Sequence, residues 1–344
     1  MFSSVLKTIV GSPTPAPVSG ISERVELAEA SFGPSGQRPP FGDRRPSLDQ
    51  RRLTAIAEQC GLDTLQDLKL ITDVRRAVDS YLTRNGGEFV VAVDGLAASG
   101  KSSNSARLAL LLSTPEFNCQ HLSSGSLYRA VTILALKKLR LDVLTAADVE
   151  KNSDLIAGIA QDLIFELKPD VKRAGGAKFL AKTRKFHFLN DITDDLASDK
   201  VEKSVSFVAK HPGVRAALNE AQKRFAISNR LAVIDGRDAG TTVFPDAPVK
   251  IFLTVSDKEA TRRSLIRAGN PNPTEPQISV AMRDVLDRNR KDIAQTVIPR
   301  DAIVVDTSRM DSPQVLRTVL GSILESLKAS TRAPVLDEAL WRDN

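Results

Sequence analysis

Phe89-Val90-Val91-Ala92-Val93-Asp94-Gly95-Leu96-Ala97-Ala98-Ser99-Gly100-Lys101-Ser102 decides the fold of this chain. From Gly95 onward it fills every required position of a G-x-x-x-x-G-K-[ST] phosphate-binding loop. The apolar, β-branched run before it predicts a strand, and Ser105 to Leu112 after it predicts a helix. Strand, glycine loop and helix N-terminus therefore stand in the order that a nucleoside triphosphate requires. Glycines let the backbone curl so that N–H groups point at phosphate oxygens, and the helix dipole favours the anion. Gly95, Ala98, Ser99, Gly100, Lys101, Ser102 and Ser103 are the expected cradle. Lys101 is placed to reach the β- and γ-phosphates, and Ser102 to ligate Mg²⁺ through bound ATP.

Outward from the loop, similar apolar runs recur. His121 to Gly125, Leu231 to Asp235, Lys250 to Val255 and Ala302 to Asp306 each end in small or polar residues and are separated by helical stretches. That alternation predicts an α/β fold, a parallel sheet flanked by helices with ligands at the carboxyl ends of the strands. Ser124-Gly125-Ser126-Leu127-Tyr128-Arg129 follows one run and Asp235-Gly236-Arg237-Asp238-Ala239-Gly240-Thr241 another, so their polar side chains should converge on the mouth of the loop. Arg283, Asp287 and Arg290, at i, i+4 and i+7, fall on one helical face.

The 344 residues exceed what one domain needs, and the 42% hydrophobic content suffices for a core. No apolar run is long enough to span a bilayer. Cys60 and Cys119, the two cysteines, stand far apart without metal-ligand spacing, which points to a reducing compartment and against zinc or a disulfide framework. The net charge of +6 fits either nucleic-acid binding or the arginines needed by an enzyme handling two polyanions.

Residues 1–50 are rich in Pro, Ser and Gly and lack an apolar period, so they read as a disordered extension. A transit peptide over residues 1 to about 40 is the alternative, although the arginine enrichment of such peptides is missing from the first 22 residues. Residues 51–85 carry Ile71, Val74, Ala77, Val78, Tyr81 and Leu82 at helical spacing, with Asp63 or Thr64 as cap, and predict one or two helices docked on the main domain. Asn85-Gly86-Gly87 should turn the chain into the first strand.

Taken together, these motifs resemble the bacterial-type cytidylate kinases, within the nucleoside-monophosphate kinases. The resemblance spans roughly residues 88 to 325. It rests on the phosphate loop, the Ser124 to Arg129 element, His211-Pro212-Gly213-Val214-Arg215-Ala216-Ala217-Leu218, Asp235 to Ala247, Asp287-Arg288-Asn289-Arg290 and Asp301 to Thr307. It implies a P-loop kinase domain over residues 86–330, with a monophosphate-binding insert at about 150–215, a short lid at about 260–292 and a tail at 331–344. It also implies roles. Ser124, Arg129 and Arg237 would hold the acceptor phosphate, Ser206, Arg215 and Asp238 would read the cytosine edge, Arg283 and Asp287 would contact the sugar, and Tyr128 would be a further substrate-binding residue. Arg290 would brace Asp238, and Arg262 and Arg263 would begin a lid over ATP. Lys101, Arg129, Arg237, Arg283 and Arg290 would be the catalytic cations. The implied reaction transfers the γ-phosphoryl group of ATP, with Mg²⁺, to CMP or dCMP, giving ADP and CDP or dCDP, in a cytoplasmic monomer without nucleic-acid or membrane partners.

Several positions depart from the family pattern. Ser123 stands where an aspartate is usual, Leu96 where a proline is common, Ala197 where an arginine is frequent, and Leu286 where many members carry a polar or charged residue. The basic stretch from Lys168 to His187, with Phe179 and Phe186 interleaved, reads as a solvated hairpin; an RNA surface is the other reading. His121, His187 and His211 are scattered and read as surface or helix-end residues. Two further functions fit the loop: a kinase for another small acceptor such as UMP or AMP, and a non-catalytic ATP-binding regulator with an RNA or protein partner.

Overall fold

The structure, a computed structural model, describes residues 48–169, 177–184, 190–293 and 296–332. The expected extension and tail fall outside these residues, except for 48–50 and 331–332. The chain divides into two units, Met1–Gln50 and Arg51–Asn344. In the first only the opening turn of a helix is described, and the described strands belong to the second.

Helices α1 (Leu48–Gln59) and α2 (Leu65–Asn85) precede β1 (Phe89–Gly95). The phosphate loop leads into α3 (Lys101–Leu112), β2 (Gln120–Ser123) and α4 (Ser124–Leu139). Helices α5 (Ala146–Lys151) and α6 (Ser153–Gln161) come next, then strands β3 (Leu163–Pro169), β4 (Ala177–Thr183) and β5 (Asn190–Asp191). Helices α7 (Asp199–Val208) and α8 (Pro212–Asn229) return the chain to β6 (Leu231–Asp235). A π-helical turn (Ala239–Val243), β7 (Val249–Thr254), α9 (Asp257–Arg267), α10 (Glu275–Ile293), β8 (Ile303–Asp306) and α11 (Ser312–Arg332) complete it.

All five apolar runs become strands of one parallel sheet in the order β2-β6-β1-β7-β8. β1 lies at its centre and is buried along its whole length, which is why it reads as a continuous apolar run and not as an alternating one. Successive side chains still point to opposite faces. Val90, Ala92, Leu122, Ala232 and Ile234 pack towards a core that includes Leu127, Ile156 and Leu218 of α4, α6 and α8. Phe89, Val91, Val93, Val233 and Ile251 pack on the other face, with Val74, Leu108 and Leu320 of α2, α3 and α11.

The helical extension is part of that second core. Thr64 caps α2 through a reciprocal capping box with Asp67, and Gly86 ends it in the left-handed conformation at φ +67°. Ile71, Val74, Val78 and Leu82 are each buried, worth about 2 kcal/mol apiece relative to exposure. Two polar contacts fix the docking: Arg75 Nε donates to Leu111 O at the end of α3 (2.7 Å), and Arg317 Nε to Asp67 Oδ1 (2.7 Å).

β3 and β4 pair antiparallel, in line with the expected hairpin. Phe179 packs inward, stacked on Phe165 at 5.7 Å, and Lys168, Lys178 and Arg184 each lie within 4 Å of a carboxylate. Lys172, Arg173, Lys185, Phe186 and His187 lie outside the described residues. Among the described residues no helix is long and apolar enough to cross a membrane. Both cysteines are buried free thiols.

Candidate active site

β1 leaves the sheet at Gly95, whose φ is +149°. A Cβ there would lie 2.1 Å from Leu253 O, so only glycine lets the loop pass against β7. Gly100, at φ +86°, starts α3 with no side-chain cap, so no capping side chain occupies the N–H groups of the first turn, which an anion can take. Ala98 takes a left-handed φ of +57°, which costs about 1 kcal/mol. Its surroundings hold it there. Arg263 Nη1 donates to Ala98 O (3.4 Å) and Nη2 to Thr307 O (2.6 Å), while Thr307 Oγ1 lies 3.2 Å from Ser99 O. Ser99 Oγ donates to Leu96 O (3.0 Å) and the exposed Ser103 Oγ to Gly100 O (3.0 Å). Arg262 forms a two-pronged pair with Glu259. The described contacts of the two arginines expected in the lid are thus with Glu259, and for Arg263 also with the back of the loop.

Lys101 Nζ folds over the loop, donating to Gly95 O (2.8 Å) and Leu96 O (2.6 Å). Arg237, from the segment after β6, donates to the same Gly95 O at 2.8 Å. The loop cation and the first arginine of the second motif therefore meet on one carbonyl. Beneath them Asp94 accepts the N–H of Ala239 (2.9 Å) and of Gly240 (2.7 Å). Burial pushes the Asp94 carboxyl up to about 6, against those two hydrogen bonds and Lys101 and with the help of Asp238.

Ser124, at the start of α4, packs against the same segment: a Cβ on Gly236 would stand 3.4 Å from Ser124 Cβ. Arg129 lies one turn further along α4, where a Cβ on Gly125 would stand 3.4 Å from its Nη1. Arg215 of α8 pairs with Asp238, whose side chain is buried. Tyr128 is buried nearby, and burial, opposed by Arg215 and assisted by Asp238, pushes its phenol up to about 12.

At the end of β6 the buried Asp235 takes three hydrogen-bonding partners. Ser102 Oγ donates to Oδ1 at 2.9 Å, Ser123 Oγ to the same oxygen at 3.2 Å, and His121 Nε2 stands 2.6 Å from Oδ2. Burial by itself would raise this carboxyl; the hydrogen bonds and the charges of His121 and Lys101 overcome it and hold it below the usual range. Among the described residues no cluster of three or more His, Cys, Asp and Glu could cage a metal unaided. A hydroxyl and a carboxylate at the mouth of a phosphate loop instead fit Mg²⁺, which uses few protein oxygens and takes the remainder from phosphates and water.

Some expected residues are not drawn in. Ser206 is exposed on α7, with no hydrogen bond to Arg215 or Asp238 among the described residues. Arg283 is exposed on α10, and the side chains of Asp287 and Arg290 lie outside the description. Asp235 was expected among the polar side chains converging on the loop mouth, and Ser102 Oγ meets it there. Asp94 and His121 had no assigned site role in the sequence; an acidic residue ending a fully buried strand was the available signal for Asp94. His211 sits at a helix end as expected, its ring accepting from Val214 N in the cap of α8; His121 lies in a strand, against Asp235.

The model of the family described as cytidylate kinase matches residues 91–325. A cytidylate kinase of Deinococcus radiodurans is 36% identical over 68% of this chain and 99% of its own length. Those of Bdellovibrio bacteriovorus and Thermus thermophilus are 33% and 35% identical, covering 67% and 68% of this chain and 96% and 98% of theirs.

Proposed function

The chain belongs to the cytidylate kinase family, and from that membership we propose that it transfers the γ-phosphoryl group of ATP to an α-phosphate oxygen of CMP or dCMP, giving ADP and the diphosphate. One observation supports this above the others: Lys101 Nζ and Arg237 Nη1 both lie 2.8 Å from Gly95 O, so the cation of the donor loop and that of the acceptor segment face one space.

The acceptor phosphate is already anionic at neutral pH and needs no general base. The work left to the protein is to bring two polyanions together and to stabilise charge as it spreads over the transferring group. In this reading Lys101 releases its two loop carbonyls and turns to the β- and γ-phosphates. Arg237 and Arg129 take the acceptor phosphate, with Ser124 beside them. Their planar forks suit phosphate oxygens in a way that lysine does not. Arg215 and Asp238 present a donor and an acceptor to the cytosine edge, next to Tyr128. A cytosine offers an amine donor beside acceptors, so this paired donor and acceptor discriminates it from uracil. Arg283, Asp287 and Arg290 belong to the same reading as sugar and base contacts brought in by α10. Mg²⁺, held through Ser102 and Asp235, would supply charge neutralisation between the β- and γ-phosphates.

Steady-state assays with ATP and a panel of CMP, dCMP, UMP and AMP test the reading. CMP or dCMP should have the highest kcat/KM, and Lys101→Ala should lower kcat by at least ~100-fold. ATP binding without transfer to any acceptor would instead indicate a regulator.

A further inference from the structure

His121 has no part in the reaction as described, yet its ring stands 2.6 Å from a carboxylate that is itself 2.9 Å from the Ser102 hydroxyl. The sheet produces this meeting. β2 pairs parallel with β6 so that Ser123 lies opposite Asp235, and His121, two residues earlier, shares a face with Ser123. Both β2 side chains therefore reach the same carboxylate from one side, while Ser102 reaches it from the start of α3. The two oxygens of Asp235 are divided: Oδ1 takes both hydroxyls, and among the described residues Oδ2 is met by His121.

Resting on the nucleotide-binding reading above, we propose that His121 is a positioning residue for the magnesium-binding pair Ser102 and Asp235. A hydrogen bond to a carboxylate across 2.6 Å requires the proton on Nε2, and it fixes the rotation of the carboxylate about its last bond. With Oδ2 held, Oδ1 stays turned to Ser102, at the mouth of the phosphate loop. Ser123 Oγ alone cannot do this, because it shares Oδ1 with Ser102 and leaves Oδ2 without a protein partner among the described residues. Partners that orient a metal-binding group in this way commonly govern metal affinity without touching the metal.

The test is calorimetric binding of ADP to the full chain with and without Mg²⁺. In the wild-type protein Mg²⁺ should tighten ADP binding. His121→Leu should shrink that gain by about tenfold or more, while metal-free ADP affinity stays within about twofold and thereby reports an intact fold. His121→Gln, whose amide can donate from nearly the same point, should restore most of the gain. An unchanged gain in His121→Leu, or an equal loss with and without Mg²⁺, would overturn the proposal. A wild-type protein that binds ADP with no gain from Mg²⁺ would overturn it too, by removing the magnesium site on which it rests. Failure to bind ADP under either condition would instead sink the kinase reading itself.

Discussion

Asp94 Oδ2 accepts the backbone N–H of Gly240 at 2.7 Å, while its other oxygen accepts that of Ala239. The residue that precedes the phosphate loop thus holds the turn that follows Arg237 and Asp238. An ionised carboxylate can accept both N–H groups; Asn at this position would set an amide nitrogen against one of them. Losing one such buried pairing costs about 1–3 kcal/mol, so Asp94→Asn should lower kcat/KM for CMP by about tenfold while ADP affinity changes little. Acceptor-dependent kinetics beside ADP titration would check this.

The same residue carries a pH signature. Its carboxyl is pushed up to about 6 by burial, so the folded protein binds this proton more tightly than the unfolded chain does. Stability from this group is therefore greatest in acid and is lost as pH rises from about 4 to 6, by about 3 kcal/mol. Activity should move the other way, with kcat/KM for CMP falling as pH drops through about 6 and the turn loses one acceptor. Urea unfolding and kinetics between about pH 4.5 and about pH 7.5 should show both limbs reduced in Asp94→Asn. Identical pH profiles for variant and wild type would refute the assignment.

Gly95→Ala tests the passage of the loop against β7. The new methyl would stand 2.1 Å from a backbone carbonyl that cannot move without breaking β1–β7 pairing. The variant should lose at least about 2 kcal/mol of stability and most of its ATP affinity. Thermal melts with and without nucleotide would read both.

At the other face of the sheet, Arg317 binds the buried Asp67 through two oxygens, at 2.7 and 3.1 Å. Its hydrogen bond, aided by Thr64, holds the Asp67 carboxyl down at about 2. Stability from this pair is present above about pH 4 and is lost as pH falls towards 2. Arg317→Leu should destabilise the protein by about 1–3 kcal/mol at neutral pH and weaken that acid limb, with KM for ATP and CMP unchanged. A melting temperature equal to the wild type's would show that the extension does not depend on this contact.

Asp238→Ala should act on choice more than on rate. It leaves Arg215 without its carboxylate partner and removes the proposed acceptor for the cytosine amine, so the preference for CMP over UMP should shrink by about 10–100-fold. Competition assays with both acceptors give the ratio directly.

How far the fold could be read in advance depended on what each element buries. β1, β6 and β7 are covered on both faces and so stand out as apolar runs, while at the start of α2 the sequence offers Asp63 or Thr64 as cap and the reciprocal bonds with Asp67 decide for Thr64. The phosphate loop was legible because its chemistry is local. The contacts that assemble the cleft are not local. Asp94 binds backbone N–H groups 145 and 146 residues away, and no side-chain pattern advertises a backbone donor. His121 meets Asp235 only through the register of β2 on β6. For Arg263 a clue was present, since Glu259 lies one helical turn before it and forms the pair that turns it towards the loop.

The proposed transfer requires donor and acceptor sites to share the space where Lys101 and Arg237 meet on Gly95 O. Calorimetric titration with a single dinucleotide, adenosine and cytidine joined through their 5′ positions by a chain of phosphates, addresses it most directly. One molecule should bind per chain, more tightly than ADP or CMP alone, and should be displaced by either ATP or CMP. Binding no tighter than ADP, with CMP still able to bind alongside, would contradict the shared cleft.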